Sequence, residues 1–277
     1  MSPVISRLLI ATGLAVVLLS GCNRDKEPAA PPAPTAPAPA VVTPAAESVP
    51  FAYESKTPFA TVKLALPQGI KGQPDLHARL YAAAVRDLRQ FTEGAQADRT
   101  EAGGDQGLPG YEKTITFDTA VETGKLFSLS RADFDYTGGA HGNTQYAGIL
   151  WDKALKRPVE PAALFRTSAN LATLDQALCA AINAARRARG IQSAPVVLGG
   201  KDWACPPAMD TPFVLVASNV AGKAGGLTFM VGPYQVGPYS EGSYVVNVPQ
   251  SAIRTLFAPA YADEFAGEPV KAQDVPT

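Results

Sequence analysis

Residues 28–50 hold 8 Pro and 8 Ala in 23 positions, and this run limits what the chain can fold into more than any other feature. Proline fixes its own φ and has no backbone donor. Alanine adds little apolar area. The run therefore builds neither a ladder nor a core, and reads as an extended polyproline spacer rising ~3.1 Å per residue. It divides the sequence into a leader and residues 51–277, a segment long enough to bury a sizeable core. With 46% hydrophobic residues the chain suits a globular core rather than wholesale disorder. The formal net charge is −1, from 24 Lys+Arg against 25 Asp+Glu. That balance lacks the basic excess of a nucleic-acid footprint.

Before the spacer, Arg7 precedes an apolar run from Leu8 to Leu19. This is shorter than the ~20 residues of a spanning helix and fits a signal-peptide core. Leu19-Ser20-Gly21-Cys22 follows and resembles the lipobox of bacterial lipoproteins. The resemblance implies a leader over 1–21, cut before Cys22, and a lipidated Cys22 carrying diacylglycerol on its thiol and an acyl group such as palmitate on its amine. Several acyl chains hold a protein at a membrane where one holds only marginally. Asn23 in place of the Asp that marks inner-membrane retention favours an outer-membrane address on the periplasmic side. Residues 22–50 become a tether. Cys179 and Cys205 remain, an even pair in an oxidising compartment, and are expected to form a disulfide closing a loop of about 26 residues.

The rest of the chain reads as α+β. Strand patterns cover Phe51–Leu66, Tyr111–Val121, Lys125–Tyr136, Asn143–Trp151, Phe213–Ser218, Leu227–Val231 and Tyr244–Val248. Two main helices are expected. Pro74–Phe91 carries Leu76, Leu80, Ala84, Leu88 and Phe91 at helical spacing, with Gly94 as its stop. Ser168–Arg189 carries the stripe Leu171, Leu174, Leu178, Ala181, Ile182 and Ala185, with Ser168 as cap. Its Arg186, Arg187 and Arg189 read as dipole complements on a solvated face. Pro249–Phe257 is a short last helix. Strands and helices that are segregated rather than alternating argue for antiparallel sheets.

Catalytic signatures are sparse. There is no HExxH, GxSxG, SxxK, Walker A or GxGxxG. No cofactor or metal is implied, since a zinc site needs about three ligands at workable spacing. His77, beside Leu76, reads as a partly exposed helix residue. Asp133 and Asp135 read as a solvated strand face. His141 lies in a glycine-rich turn that leaves it exposed, and is the better functional candidate.

Two motifs stand out. The first is Asp135-Tyr136-Thr137-Gly138-Gly139-Ala140-His141-Gly142-Asn143, between two strands. The second is Gly232-Pro233-Tyr234-Gln235-Val236-Gly237-Pro238-Tyr239-Ser240-Glu241-Gly242, ahead of a strand and Pro249. The first resembles the signature of the non-catalytic domain N-terminal to the deacetylase PdaC. The second resembles that of the extracellular domain of RsiV-type anti-sigma factors. The resemblance spans roughly residues 51–260, and divides the fold into a PdaC-like region at 51–167 and an RsiV-like region at 168–265. It implies an RsiV/PdaC-type α+β extracytoplasmic module at the cell envelope, whose relatives meet lysozyme or peptidoglycan. The chain has neither a sigma-binding segment nor a deacetylase catalytic domain, so the expected function is a non-catalytic binding module for a lysozyme-like protein or peptidoglycan. Candidate ligand-binding residues are Tyr136, Gly138, Gly139, His141, Asn143, Tyr234, Gly237, Pro238 and Tyr239. Prolines stiffen the second loop and lower its ordering cost, and tyrosines offer amphipathic rings. The alternatives are a cell-wall hydrolase using His141 with carboxylates, and an accessory lipoprotein of envelope assembly.

Overall fold

The computed structural model describes residues 48–103 and 109–270. Cys22, the leader and most of the tether lie outside the described residues. Eleven strands and three helices follow in chain order. They are β1 (Ala52–Lys56), β2 (Ala60–Ala65), α1 (Pro74–Glu101), β3 (Tyr111–Glu122), β4 (Leu126–Tyr136), β5 (Asn143–Asp152), β6 (Arg157–Pro158), α2 (Ala172–Ala188), β7 (Val197–Leu198), β8 (Ala204–Cys205), β9 (Phe213–Ala217), β10 (Ala224–Val231), β11 (Tyr244–Pro249) and α3 (Gln250–Ile253). The α+β reading holds. Strands β1 to β6 form one sheet in sequence order, and β11-β10-β9 form a second.

The antiparallel expectation fails at two pairs, β2–β3 and the two-residue pair β7–β8. β2 and β3 run parallel, with Ala60 opposite Tyr111 and Ala65 opposite Thr116. Parallel neighbours need a crossover, and α1 supplies it. This helix starts with Pro74 at its first turn and Asp75 beside it, both suited to a helix N-terminus. It does not stop at Gly94. An exposed interior glycine costs about 1 kcal/mol against alanine, but Ala95 beyond it is buried in the core, so the helix continues to Glu101. His77 is buried rather than partly exposed. Its Nε2 donates to the Pro50 carbonyl at 2.9 Å, and its ring meets Phe51 at 4.4 Å.

Each face of the six-stranded sheet carries its own core. Along β4 the side chains alternate, as a strand requires. Phe127 and Leu129 point to the face under α1, where Val62, Leu64, Ile115, Phe117 and Leu88 gather. Leu126 points the other way, to Phe213, Leu215, Phe229, Tyr244 and the α2 residues Leu174, Leu178 and Ile182. A bulge between Thr119 and Val121 moves Val121 from the first face to the second. The Asp133 and Asp135 side chains are half-buried rather than on a solvated face, and the Asp133 carboxylate is paired. It receives two bonds from Arg131, at 2.6 and 2.7 Å, while Arg131 also donates to Asp87 at 2.9 Å.

The two sheets meet strand edge against sheet face. β9 pairs with β10 along one edge. On its other edge the Leu215 N–H donates to the buried Ser128 hydroxyl at 3.1 Å. At Gly148 the approach is closer still, for a Cβ there would lie 1.7 Å from the Phe213 carbonyl oxygen. Glu264 ties the chain's last described turn to the β3–β4 connection. It accepts from Thr123 Oγ1 at 2.6 Å and from the Lys125 N–H at 2.8 Å.

α2 begins later than its sequence pattern predicts. Leu171 is the N-cap and Ser168 makes no cap bond, while Asn170 Oδ1 accepts from the Ala172 N–H at 3.1 Å. Cys179 on α2 and Cys205 on β8 are joined, with 5.3 Å between their Cα atoms. Cys179→Ala with Cys205→Ala is expected to cost about 3 kcal/mol by loop-closure entropy. Urea denaturation with and without reductant measures it. An unchanged midpoint would show the crosslink to be idle.

Candidate functional site

The turn joining β4 and β5 is built on backbone that only glycine adopts easily. Gly138 and Gly139 both have φ of +96°, a region that admits glycine without a steric penalty. The Tyr136 hydroxyl closes the turn by donating to the Gly139 carbonyl at 3.1 Å. Gly142 is required for another reason, since a Cβ there would lie 2.3 Å from the Phe134 ring. The Gly142 carbonyl accepts twice, from His141 Nδ1 at 3.0 Å and from the Tyr239 hydroxyl at 2.9 Å.

His141, Tyr234 and Tyr239 converge. The His141 ring stacks on Tyr239, with centroids 3.7 Å apart and planes 14° apart. His141 Nε2 lies 3.2 Å from the Tyr234 hydroxyl, and the two tyrosine rings are 5.4 Å apart. A carbonyl can only accept, so Nδ1 carries the proton. In the neutral ring Nε2 then accepts from Tyr234. Among the described residues neither ring nitrogen meets a carboxylate.

The other predicted residues divide by place. Tyr136, Gly138 and Gly139 line a cleft of about 270 Å³ together with Phe59, Asp98 and Tyr111. Asn143 is exposed at the start of β5, opposite Asp135. Pro238 is exposed and precedes a short 3-10 turn at Tyr239–Glu241. Gly237 is buried, and a Cβ there would meet the Glu241 carboxylate at 2.5 Å. Its lack of a side chain makes room for Glu241. Among the described residues no three of His, Cys, Asp and Glu gather as a metal site.

What holds the second loop up is a buried ion pair that sequence reasoning placed elsewhere. Arg186 is not on a solvated face. Its side chain and that of Glu241 are 4% and 8% exposed. Arg186 donates to Glu241 through Nε and Nη2, both at 3.2 Å, and to the Ser193 hydroxyl and Ala194 carbonyl. The Tyr244 hydroxyl donates to the same carboxylate at 2.6 Å. Arg189 donates to the Glu241 and Ser243 carbonyls and lies 4.1 Å over the Tyr244 ring. The hydrogen bonds from Arg186 outweigh burial and hold the Glu241 carboxyl below the usual carboxylate range. Burial and the negative Glu241 push the Tyr244 hydroxyl up. The signal was in the spacing, since Leu174, Leu178, Ile182 and Arg186 recur every fourth residue on the inward face of α2.

Residues 53–144 match the family described as "Deacetylase PdaC", and residues 162–251 match "Protein of unknown function (DUF3298)". No curated protein matches the chain. Among solved structures, a DUF3298 family protein from Pseudomonas aeruginosa PAO1 is similar at 18% identity and a TM-score of 0.52, over 78% of this chain and 94% of that one. A member of the same family from Bacteroides fragilis NCTC 9343 is similar at 15% identity and a TM-score of 0.47, over 74% and 87%. At such identity the Pseudomonas protein shows a shared fold. The two family matches, in this order, give the chain the PdaC plus DUF3298 architecture of an extracytoplasmic, envelope-associated module.

Proposed function

We propose that the protein is a lipid-anchored, non-catalytic binding module of the bacterial envelope, tethered through Cys22 and facing the periplasm from the outer membrane. Its recognition surface is the His141–Tyr234–Tyr239 cluster, and its ligand a lysozyme-like protein or peptidoglycan. The observation that carries this reading is Tyr234. It sits at φ +64°, where a side chain costs about 1–2 kcal/mol. Yet it is 53% exposed, so burial of its ring does not offset that cost. Strain of this kind collects at binding sites. The resemblance and both family matches supply the envelope setting. Hydrolysis is less favoured by the geometry, because Nε2, the nitrogen left to act as a base, already accepts from the Tyr234 hydroxyl.

Calorimetry against lysozyme and against purified peptidoglycan tests the reading. Binding to one of them is expected, weakened at least about tenfold in Tyr234→Ala, as for a central aromatic contact. No heat with either ligand far above micromolar concentration, or an unaltered affinity in the variant, would overturn it.

A further inference from the structure

Exposed large apolar side chains are scattered singly at Leu155, Val220, Val245 and Val270, but three fall together in one loop. Val197, Leu198 and Trp203 are 56%, 44% and 39% exposed. They belong to one small excursion, since Val197 pairs with Ala204, Leu198 with Cys205, and the Gly200 N–H donates to the Val197 carbonyl at 3.2 Å. Lys201 and Asp202, also exposed, form its tip. The base of the loop is firmly held. Cys205 is crosslinked to α2, and Asn183 on α2 bonds both the N–H and the carbonyl of Val196, at 3.0 and 2.8 Å. The fold thus displays exposed apolar residues on both sides of a short charged tip, on a rigid base.

We propose that the loop Val197–Trp203 is a membrane-contact loop, seating Val197, Leu198 and Trp203 in the interfacial zone of a lipid bilayer. Tryptophan favours that zone, and aliphatic neighbours reach the acyl boundary. Lys201, exposed at the tip, would then meet the headgroup phosphates. Size argues against a protein occupant. The three side chains offer roughly 250 Å², against ~800 Å² per partner in a stable protein–protein interface. A small contact suffices when the surface is already tethered, because its effective concentration is then in the millimolar range. Cys22 precedes the first described residue, Ser48, by 48 − 22 = 26 residues, and a chain of that length can span no more than about 90 Å, so an anchor there leaves a bilayer within reach. The inference rests on the proposed lipid anchor for the source of the membrane, and takes nothing from the His141 cluster.

The chain has two tryptophans, and the other, Trp151, is 3% exposed in the core. With Cys179 and Cys205 joined, Cys22 is the one thiol left of the three cysteines. Expressed without residues 1–21, so that Cys22 keeps a free thiol, the chain is coupled through Cys22 to phosphatidylethanolamine–phosphatidylglycerol vesicles bearing maleimide headgroups. Brominated acyl chains are expected to quench most of the Trp203 emission, with a blue shift and loss of acrylamide access. Trp203→Phe should abolish the change, leaving Trp151 emission flat. Leu198→Asp, on an exposed side chain, should return Trp203 to its uncoupled state with an unaltered circular dichroism spectrum. Emission that ignores the brominated lipid would overturn the proposal. So would protection of Trp203 that appears only when an envelope protein is added. Mass spectrometry of the cellular protein separately decides whether Cys22 is acylated, so failure of the anchor and failure of the loop are told apart.

Discussion

Arg186→Met is expected to destabilise the protein by about 3–5 kcal/mol, because it strands the Glu241 carboxylate in a buried site. The Tyr244 hydroxyl still donates to it and the Arg189 charge still acts on it, but both bonds from Arg186 are gone. Urea denaturation at neutral pH measures the loss. Arg186→Met with Glu241→Gln should recover a good part of it, since a neutral group of similar shape leaves no unpaired charge. Acid should act on the same pair in the native protein. The Glu241 carboxyl is lowered in the fold by the Arg186 hydrogen bonds. A lowered carboxyl contributes stability that is full above its unfolded value, near about 4.3, and is lost as pH falls through the folded value. The wild type should therefore lose stability below about pH 4 more steeply than the double variant does. Parallel acid curves for the two proteins would show that Glu241 titrates without strain on the fold.

Gly148→Ala should cost at least about 3 kcal/mol, toward the upper end for overpacking. The new Cβ would lie 1.7 Å from the Phe213 carbonyl oxygen and 2.7 Å from its carbon. These are backbone atoms of β9, so no side chain can turn aside. β9 would have to retreat from the six-stranded sheet, losing the Leu215 to Ser128 bond with it. Ser128→Ala, which removes that bond without a clash, should cost nearer 1 kcal/mol. Thermal unfolding of the two variants gives the comparison. A Gly148→Ala protein as stable as the parent would mean that the sheets do not meet edge to face at this point.

Neither the close approach at Gly148 nor the pair at Arg186 follows from local pattern. Gly148 lies inside a regular strand, and its constraint comes from a segment some 65 residues later in sequence. Arg186 carries the spacing of a core residue and the chemistry of a surface one. The carboxylate that draws it inward, Glu241, lies 55 residues further along the chain, beyond the reach of any local pattern. Element types were legible wherever period two or 3.6 was strong, as in β4, β11 and α2. Ends were less so. Ala95 carried α1 past Gly94, and the α2 start passed from Ser168 to Leu171. The parallel β2–β3 pair was hidden because alternation reports which face is buried and not which way a neighbour runs. Of the site, both motifs were visible as loops. Their meeting at the Gly142 carbonyl was not, because no periodicity links His141 to Tyr239.

That shared carbonyl has a thermodynamic consequence. Gly142 belongs to the segment matched by the first family and Tyr239 to the segment matched by the second. A ligand held by this cluster meets a surface that exists only while both segments are folded. Its binding free energy therefore counts toward the integrity of both, as RT ln(1 + [L]/Kd). Occupancy would make them open and close together in hydrogen exchange, and a site at the seam would act as a reversible staple across it.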